Sequence, residues 1–334
     1  MDSIKEITFN LAKTLLENKI HIIESKEIIK DKSKKLGEGS FGKVYKGYYG
    51  DKEVAIKRLK LQQLVSVKEI MQEIKAVSRL APNPRVPKFY GVWNTEKYLH
   101  LIFEYINGVT LKQWFLTEKP NDKLKLDIII QLVSVIEEMH SQNVIHRDLK
   151  PENILIMNNT VYVIDFGVSK ISSHTQTGTN NQKGTVAYYP PENCCIDTQI
   201  DAQNIIKISQ KFDIWSIGCI TSFIFSGQPP WSKLKKVTSH KDKENTDNGL
   251  KEVYEKKESI EEKKNEKKVE IKDYKVIEDM KIIFSLTKKQ RFPIPENIPQ
   301  QLKMILLICF EYNPLERISA ADLKNKLLDY YQSF

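Results

Sequence analysis

The spacing of hydrophobic and polar positions divides the chain into a β-rich front and a helical back. Short β-type runs over residues 43–45, 53–56 and 99–103 predict strands, and a helical period over 67–80 interrupts them before Pro82. After Gly108 the apolar spacing predicts helices over 124–140, 214–225, 302–312 and 320–330. We therefore expect an α+β fold with a small β-rich front that carries one helix and a larger α-rich back.

Two segments stand apart from this pattern. Residues 1–33 form a predicted extension in which Ile4, Ile7, Leu11 and Leu15 recur at helical spacing. The polar face of this helix is mixed in charge, so we expect it to pack on the domain behind it and not on a membrane. Residues 233–270 are dominated by Lys and Glu with few apolar side chains, which predicts a mobile insertion.

Composition narrows the class of protein. The 334 residues are 40% hydrophobic and 28% charged, enough for a sizeable core under a solvated surface. The longest apolar runs are far shorter than the ~20 residues of a membrane helix, and we see no secretory signal. Four cysteines form no CxxC pair. We expect a soluble intracellular protein of the cytoplasm or nucleus that has no membrane partner.

The net charge of +9 raises the alternative of a nucleic-acid partner. The lysines are spread through the whole chain and alternate with Asp and Glu, and they form no basic stripe with interleaved aromatic residues. A solvated basic surface explains the charge better, so we expect no nucleic-acid partner.

A glycine-rich segment and a nearby lysine are the first candidate functional residues along the chain. Residues 37–42 read GxGxxG and lie between two predicted strands, unlike the strand-to-helix context of a dinucleotide-binding loop. Glycines there let backbone amides approach phosphate oxygens, and an ordinary glycine hairpin is the alternative. Lys57 lies inside the next strand and is better explained as a phosphate ligand than as a solvated lysine. Glu73 is the favoured carboxylate to hold it, with Glu69 as the alternative.

The octet at residues 146–153 is the most informative motif. Asp148 can accept the proton of an incoming hydroxyl, Lys150 can neutralise a transferring phosphoryl group, and Asn153 can bind a metal ion. Asp165 opens an Asp-Phe-Gly triplet twelve residues further on and supplies a second metal ligand.

This ordered set of motifs resembles the eukaryotic-type protein kinases of the Ser/Thr class over residues 34–331. Later landmarks agree with the resemblance, since residues 184–192 resemble the end of an activation segment and Arg317 is expected to pair with Glu192. The same segment is locally similar to the monopolar-spindle group of dual-specificity kinases. The resemblance implies a bilobal kinase fold with an N-lobe at 34–103, a hinge at 104–108 and a C-lobe at 109–332 that contains the charged insert.

The resemblance also implies ATP and Mg²⁺ as cofactors and assigns roles to the site residues. Asp148, Lys150, Lys57, Glu73 and Thr185 are the expected catalytic residues, and Asn153 and Asp165 the expected metal ligands. His146, Phe166, Val77 and Phe89 are expected to stack as a structural spine. The expected nucleotide-binding residues are Leu36, Gly37, Glu38, Gly39, Ser40, Phe41, Gly42, Val44, Ala55, Lys57, Phe103 (as gatekeeper), Glu104, Ile106 and Leu155.

Lys150 together with Thr185 resembles the Ser/Thr kinases, so the resemblance implies transfer of the ATP γ-phosphoryl group to Ser or Thr hydroxyls of protein substrates. We also expect self-phosphorylation in trans within the activation loop, with Thr177 and Thr179 as the favoured positions. The alternatives are a dual-specificity kinase and a pseudokinase scaffold that binds ATP and protein partners. A pseudokinase would lack one of its catalytic residues, and Lys57, Asp148 and the two metal ligands are all present.

Overall fold

The computed structural model describes residues 11–39, 42–61, 67–166, 170–171, 186–194, 202–232, 279, 282, 285–286 and 289–333. Their contacts group them into two compact units, which we describe separately. The first unit takes the described residues within Met1–Pro120 and Ile130–Thr175, and the second those within Asn121–Ile129 and Gln176–Phe334.

An antiparallel five-stranded sheet forms the centre of the first unit. Its strands lie in the order β1-β2-β3-β5-β4 and are β1 (Ile28–Gly39), β2 (Gly42–Tyr49), β3 (Lys52–Lys60), β4 (Phe89–Asn94) and β5 (Tyr98–Glu104). Neighbouring residues of a strand face opposite sides of the sheet. In β3, Val54 and Ile56 are buried on one side, while Ala55 and Lys57 face the other.

Two helices pack on the Lys57 face of this sheet. The described part of helix α1 covers residues 11–17, and helix α2 spans Val67–Arg79. Their apolar side chains share one cluster with those of β3, β4 and β5, whose buried members are Leu11, Leu15, Leu59, Leu61, Ile70, Met71, Ile74, Val92, Leu99 and Leu101. The expected packing of the N-terminal extension is therefore confirmed for Leu11 and Leu15.

The remaining elements of the first unit position the segment around Asp148. Helix α3 spans Leu111–Glu118, and helix α4 (Asp122–Ser141) begins in the second unit and ends in the first. Short strands form two further sheets. One contains β6 (Val109–Thr110), β8 (Ile154–Met157) and β9 (Thr160–Val163), and in the other β7 (Val144–Ile145) pairs with β10 (Lys170–Ile171).

The second unit is helical in its described residues. Its helices after the start of α4 are α5 (Pro191–Cys194), α6 (Ala202–Ser226), α7 (Gln300–Cys309) and α8 (Ala320–Tyr331). Trp215 of α6 lies edge-on to Phe310 and Phe292, at centroid distances of 5.1 and 6.3 Å, in an aromatic core. None of the helices in the described part of the chain combines the length and the apolar character needed to cross a bilayer.

The predicted α+β class is confirmed, with a β-rich N-terminal part and a helical C-terminal part. Strand β1 begins at Ile28 and crosses the predicted boundary at residue 33, because its backbone pairs with β2 although its sequence is rich in lysine. The grouping by contacts also differs from the lobe boundary predicted at 104–108, which stays a prediction. Ile4, Ile7 and residues 233–270 lie outside the described residues.

Candidate active site

The glycine-rich segment 37–42 joins β1 to β2, which agrees with the two-strand context predicted for it. Gly37 pairs with Val44 across the hairpin. Gly42 has a φ of 138°, and a Cβ there would lie 2.2 Å from the carbonyl oxygen of Arg58, so this position requires glycine. A Cβ added to Gly37 would meet no heavy atom within 4 Å. The hairpin therefore packs closely on β3 at one glycine and borders open space at the other.

Lys57 projects from the central strand β3 and joins two carboxylates. Its Nζ donates to Oε1 of Glu73 at 2.6 Å and to Oδ1 of Asp165 at 2.8 Å. Lys57 and Glu73 are both buried, so this ion pair is shielded from water. The predicted pairing of Lys57 with Glu73 is confirmed, and the contact with Asp165 adds a link that the sequence did not predict.

Burial and charge act in opposite directions on Lys57. Burial alone lowers the pKa of its ammonium, but the carboxylates of Asp165 and Glu73 outweigh burial and raise this pKa above its ordinary value. Burial also raises the pKa of Glu73, and the Lys57 ammonium opposes that rise. Lys57 is thus held as a cation, which suits it to a phosphate ligand, and the ionised form of Glu73 depends on Lys57.

Asp148 is a buried carboxylate held by two neighbours of the same segment. Lys150 Nζ donates to its Oδ2 at 2.6 Å, and Asn153 Nδ2 donates to the same oxygen at 3.0 Å and to the backbone carbonyl of Asp148 at 2.8 Å. Within the part of the chain that the structure describes, Oδ1 of Asp148 has no hydrogen-bond partner. One oxygen is thus fixed in place while the other can accept a proton or a hydroxyl group.

His146 links this segment to the residues just before Asp165 through hydrogen bonds of its ring. Its Nδ1 accepts the backbone N–H of Asp148 at 3.2 Å, so the proton is on Nε2, which donates to the carbonyl of Ile164 at 3.1 Å. The His146 ring also contacts the ring of Phe166 at a centroid distance of 5.2 Å. These contacts support the predicted structural role of His146.

Two residues beside the site adopt left-handed backbone conformations, which cost about 1–3 kcal/mol each outside glycine. They are Arg147, with a φ of 68°, and Asp165, with a φ of 65°. The Ile164 N–H donates to the carbonyl of Asn153 at 3.0 Å and fixes Asp165 relative to the 146–153 segment. The Asp165 side chain keeps 33% of its surface exposed while it accepts from Lys57. This hydrogen bond therefore links the segments that carry the two predicted metal ligands, Asn153 and Asp165.

In the second unit, Arg317 and Glu192 form the predicted ion pair. Arg317 is 1% exposed, and its two terminal nitrogens donate to the two carboxylate oxygens of Glu192 at 2.7 and 3.0 Å. The guanidinium also donates to the backbone carbonyls of Glu311 and Lys211 and lies 5.2 Å from the Trp215 ring. A buried, bidentate pair of this kind ties the segment around Glu192 to the helical core.

Comparison with known families identifies this arrangement. The family model described as "Protein kinase domain" matches residues 31–328. The chain belongs to the protein kinase family. It is 33% identical over 222 residues to an Aurora kinase of Saccharomyces cerevisiae, covering 62% of this chain and 56% of that protein. It is 32% identical over 219 residues to the serine/threonine-protein kinase chk-2 of Caenorhabditis elegans, covering 60% of this chain and 44% of that protein.

A third relative bears on the subgroup. The serine/threonine-protein kinase MPS1 of Encephalitozoon cuniculi is 30% identical over 214 residues, covering 63% of this chain and 34% of that protein. This likeness fits the local resemblance of residues 184–192 to the monopolar-spindle kinases. In all three comparisons the matched region spans little more than half of the relative's length or less.

Several residues that the kinase resemblance assigns to the nucleotide share the sheet face of Lys57. Val44 pairs with Lys57, and Ala55 pairs with Phe103. Directly paired residues of antiparallel strands point to the same side, so these side chains line one surface. Phe103 also contacts Phe89 at a centroid distance of 5.4 Å, within the surface on which α2 packs.

Other predicted nucleotide-binding residues lie at the edges of this surface. Leu36 is exposed on β1, and Leu155 is half-buried on β8. The Glu104 N–H donates to the Lys88 carbonyl at 2.8 Å, which fixes the end of β5, and Ile106 is buried just after it. On β1, the carboxylate of Glu38 contacts two lysines that lower its pKa, and Gly39 closes the strand.

The remaining predicted positions lie outside the described residues, namely Ser40, Phe41, Thr185, Thr177 and Thr179. Sequence reasoning missed two contacts of the site, from Lys57 to Asp165 and from Asn153 to Asp148. The first joins residues 108 positions apart, and no local pattern could reveal it. The second lies within one motif, whose Asp and Asn spacing was the available signal.

Proposed function

We propose that the chain is an ATP-dependent protein kinase that transfers the γ-phosphoryl group of ATP to Ser or Thr hydroxyls of protein substrates. The observation that carries this proposal is the geometry of Asp148. Its Oδ2 accepts from Lys150 and Asn153, and Oδ1 is left to receive the hydroxyl proton. Protein substrates follow from the family to which the chain belongs.

The other residues of the network have roles that fit this reaction. Lys57 is held as a cation by Glu73 and Asp165, and we assign it to the nucleotide phosphates. Lys150, which contacts the Asp148 carboxylate, can balance negative charge on the transferring group. The hydroxyl oxygen attacks the γ-phosphorus, its proton passes to Asp148, and ADP leaves with the electrons of the broken P–O bond.

Protein kinases generally use Mg²⁺ with ATP, and the residues present fit that ion. Asp165 offers a partly exposed carboxylate. Asn153 donates through its amide nitrogen to Asp148, so its amide oxygen remains as a second hard oxygen ligand. We assign the magnesium site to Asp165 and Asn153. When bound, Mg²⁺ would neutralise phosphate charge.

The proposal is tested by phosphoryl transfer with mapped products. The purified chain is incubated with Mg²⁺, labelled ATP and a peptide library, and the phosphorylated residues are identified by mass spectrometry. We expect Ser and Thr products from the wild type and a loss of at least about 100-fold in kcat for Asp148→Asn, with nucleotide binding retained. Asp329→Asn, an exposed change of the same type on α8, should leave kcat unchanged.

Two outcomes contradict the proposal. The first is a wild type that binds ATP but transfers no phosphoryl group, which would favour a scaffold. The second is near-wild-type turnover in Asp148→Asn. Self-phosphorylation at Thr177 or Thr179 with a gain of activity is a separate prediction. After phosphatase treatment and addition of ATP, the wild type should reach its full rate after a lag, whereas the Thr177→Ala/Thr179→Ala variant should stay at the low initial rate. Equal activity in both proteins with no lag would contradict it.

A further inference from the structure

The N-terminal segment 11–23 has a defined path over the first unit. Helix α1 ends in a closed turn in which Lys19 has a φ of 54°. The Ile20 N–H donates to the Leu15 carbonyl and the Lys19 N–H to the Leu16 carbonyl, both at 3.0 Å. This pair of hydrogen bonds is a Schellman motif, and Ile20 packs in the apolar cluster of Leu15, a contact that often accompanies the motif.

The helix contributes two leucines to the apolar cluster that also contains residues of α2. Leu11 is 0% exposed and Leu15 is 2% exposed. Both belong to the cluster that contains Ile70, Met71 and Ile74 of α2. The burial is one-sided, because Leu16 on the opposite face of α1 is 66% exposed.

After the turn, the segment runs along the edge of the sheet. The Ile23 N–H donates to the Val92 carbonyl at 2.8 Å, and the Val92 N–H donates to the His21 carbonyl at 2.9 Å. Gly91 has a φ of 150°, and a Cβ there would lie 2.5 Å from the His21 oxygen. Strand β4 is thus shaped for this segment, which covers an edge that would otherwise be unpaired.

Ile23 then packs on the opposite face of the sheet. It is buried in a cluster with Ile56 and Ile102, whereas Leu101 lies in the cluster of Leu11 and Leu15. Neighbours in a strand point to opposite faces, so the segment is anchored on both sides of one sheet. We call residues 11–23 the N-terminal strap.

We propose that the N-terminal strap positions α2 and thereby holds Glu73 against Lys57. Ile70, Glu73 and Ile74 lie on one side of α2, at spacings of three and four residues. Ile70 and Ile74 belong to the same apolar cluster as Leu11 and Leu15 of the strap, and Glu73 on the same side of α2 reaches Lys57 at 2.6 Å. A displacement of about 1 Å at such a pair can cost about 100-fold in rate. Leu11 and Leu15 are therefore positioning residues, and this inference rests on the proposed function for its kinetic consequence.

The kinetic test uses the full chain with Leu11→Ala/Leu15→Ala. We expect kcat to fall at least about tenfold, while the KM for the peptide changes less than about threefold. Leu16→Ala, on the exposed face of the same helix, is the matched control and should keep wild-type kcat. An unchanged kcat in the double variant would overturn the inference.

A second background separates positioning from general destabilisation. In Glu73→Gln the ion pair is already lost, so the two leucine changes should lower kcat less than about twofold there. An equal fold-loss in both backgrounds would show that the leucines do not act through Glu73. If the double variant unfolds, Leu15→Val, which removes one methylene, is used in its place. Its loss of kcat is then compared in the wild-type and Glu73→Gln backgrounds, and a smaller loss is expected than for the double variant.

Hydrogen exchange supplies a readout that needs no turnover. In the double variant the amides of α2 should lose protection while those of β5 keep it, and in Leu16→Ala both should stay as in the wild type. Unchanged protection of α2 would overturn the inference. If the wild type transfers no phosphoryl group, the proposed function fails, and the exchange of α2 still decides whether the strap holds this helix.

Discussion

His100, a buried histidine of β5, allows a quantitative test of the packing of the sheet. It is 3% exposed, its ring stacks on Trp93 at a centroid distance of 4.2 Å, and its Nδ1 lies 3.2 Å from the Trp93 carbonyl oxygen. Burial lowers the pKa of His100 to about 4, helped by the charges of Lys30 and Arg58 and opposed by the Trp93 carbonyl. The imidazole is therefore neutral in the folded protein at all but acidic pH.

The sign and size of the effect follow from proton linkage. Between pH 6.5 and about 4 the unfolded chain binds a proton at His100 that the folded chain does not, so stability falls as the pH falls. One pKa unit corresponds to about 1.4 kcal/mol, so the gap between 6.5 and about 4 is worth about 3 kcal/mol. This contribution is fully present above pH 6.5 and is lost progressively towards pH 4.

The assay compares the wild type with His100→Phe, which keeps a planar ring on Trp93 but cannot be protonated. Urea unfolding at pH 7.5 measures the packing cost of the change alone. Unfolding at pH 6.5, 5.5 and 4.5 also includes the free energy of binding a proton at His100 in the unfolded wild type. We expect the stability difference between the two proteins to shift by about 2–3 kcal/mol in favour of the variant between pH 7.5 and 4.5. A difference that stays constant over this range would refute the reasoning.

Three further predictions concern other parts of the chain. Arg317→Met should lower stability by about 3–5 kcal/mol, because Glu192 loses both donors, and calorimetry showing no lower melting temperature would contradict this. Gly91→Ala should cost about 1–3 kcal/mol, because its Cβ would collide with the His21 carbonyl, and chemical denaturation measures the loss. Wild-type stability in that variant would show that the backbone at His21 moves away from the added Cβ at no cost. Asp165→Asn should abolish Mg²⁺-dependent transfer while circular dichroism stays unchanged, so near-full turnover would exclude Asp165 as a metal ligand.

The elements that the sequence predicted well are those whose own side chains carry a clear period. The β-type run over residues 53–56 predicts β3, and the helical period over 67–80 predicts α2, which ends at Arg79 before Pro82. Strand β1 starts earlier than expected because its lysine-rich sequence gains strand structure from pairing with β2. Helix α6 begins at Ala202, twelve residues before the apolar period starts at Ile214. For β1, tertiary pairing therefore outweighs the local sequence.

The site was predictable as a set of residues but not as a geometry. The types and spacing of Lys57, Asp148 and Asn153 carry their chemistry, so motif reasoning could name them. The contact between Lys57 and Asp165 depends on how distant segments of the chain meet. It also depends on a left-handed backbone conformation at Asp165, which the neighbouring sequence does not predict. Such conformations are stabilised by the surrounding fold, so they become visible only in the structure.

For the N-terminal strap, too, the sequence predicts which residues are buried but not what they contact. The helical spacing of Leu11 and Leu15 predicts a buried face but does not say what that face covers. In the structure it packs into the apolar cluster that also contains α2 residues, and Glu73 of α2 pairs with Lys57 although burial alone would favour its neutral form. In the role that we propose for the strap, the apolar cluster on this side of α2 helps to hold the Glu73 carboxylate beside Lys57. Changes at Leu11 or Leu15 should therefore alter the rate of phosphoryl transfer without touching either reactant.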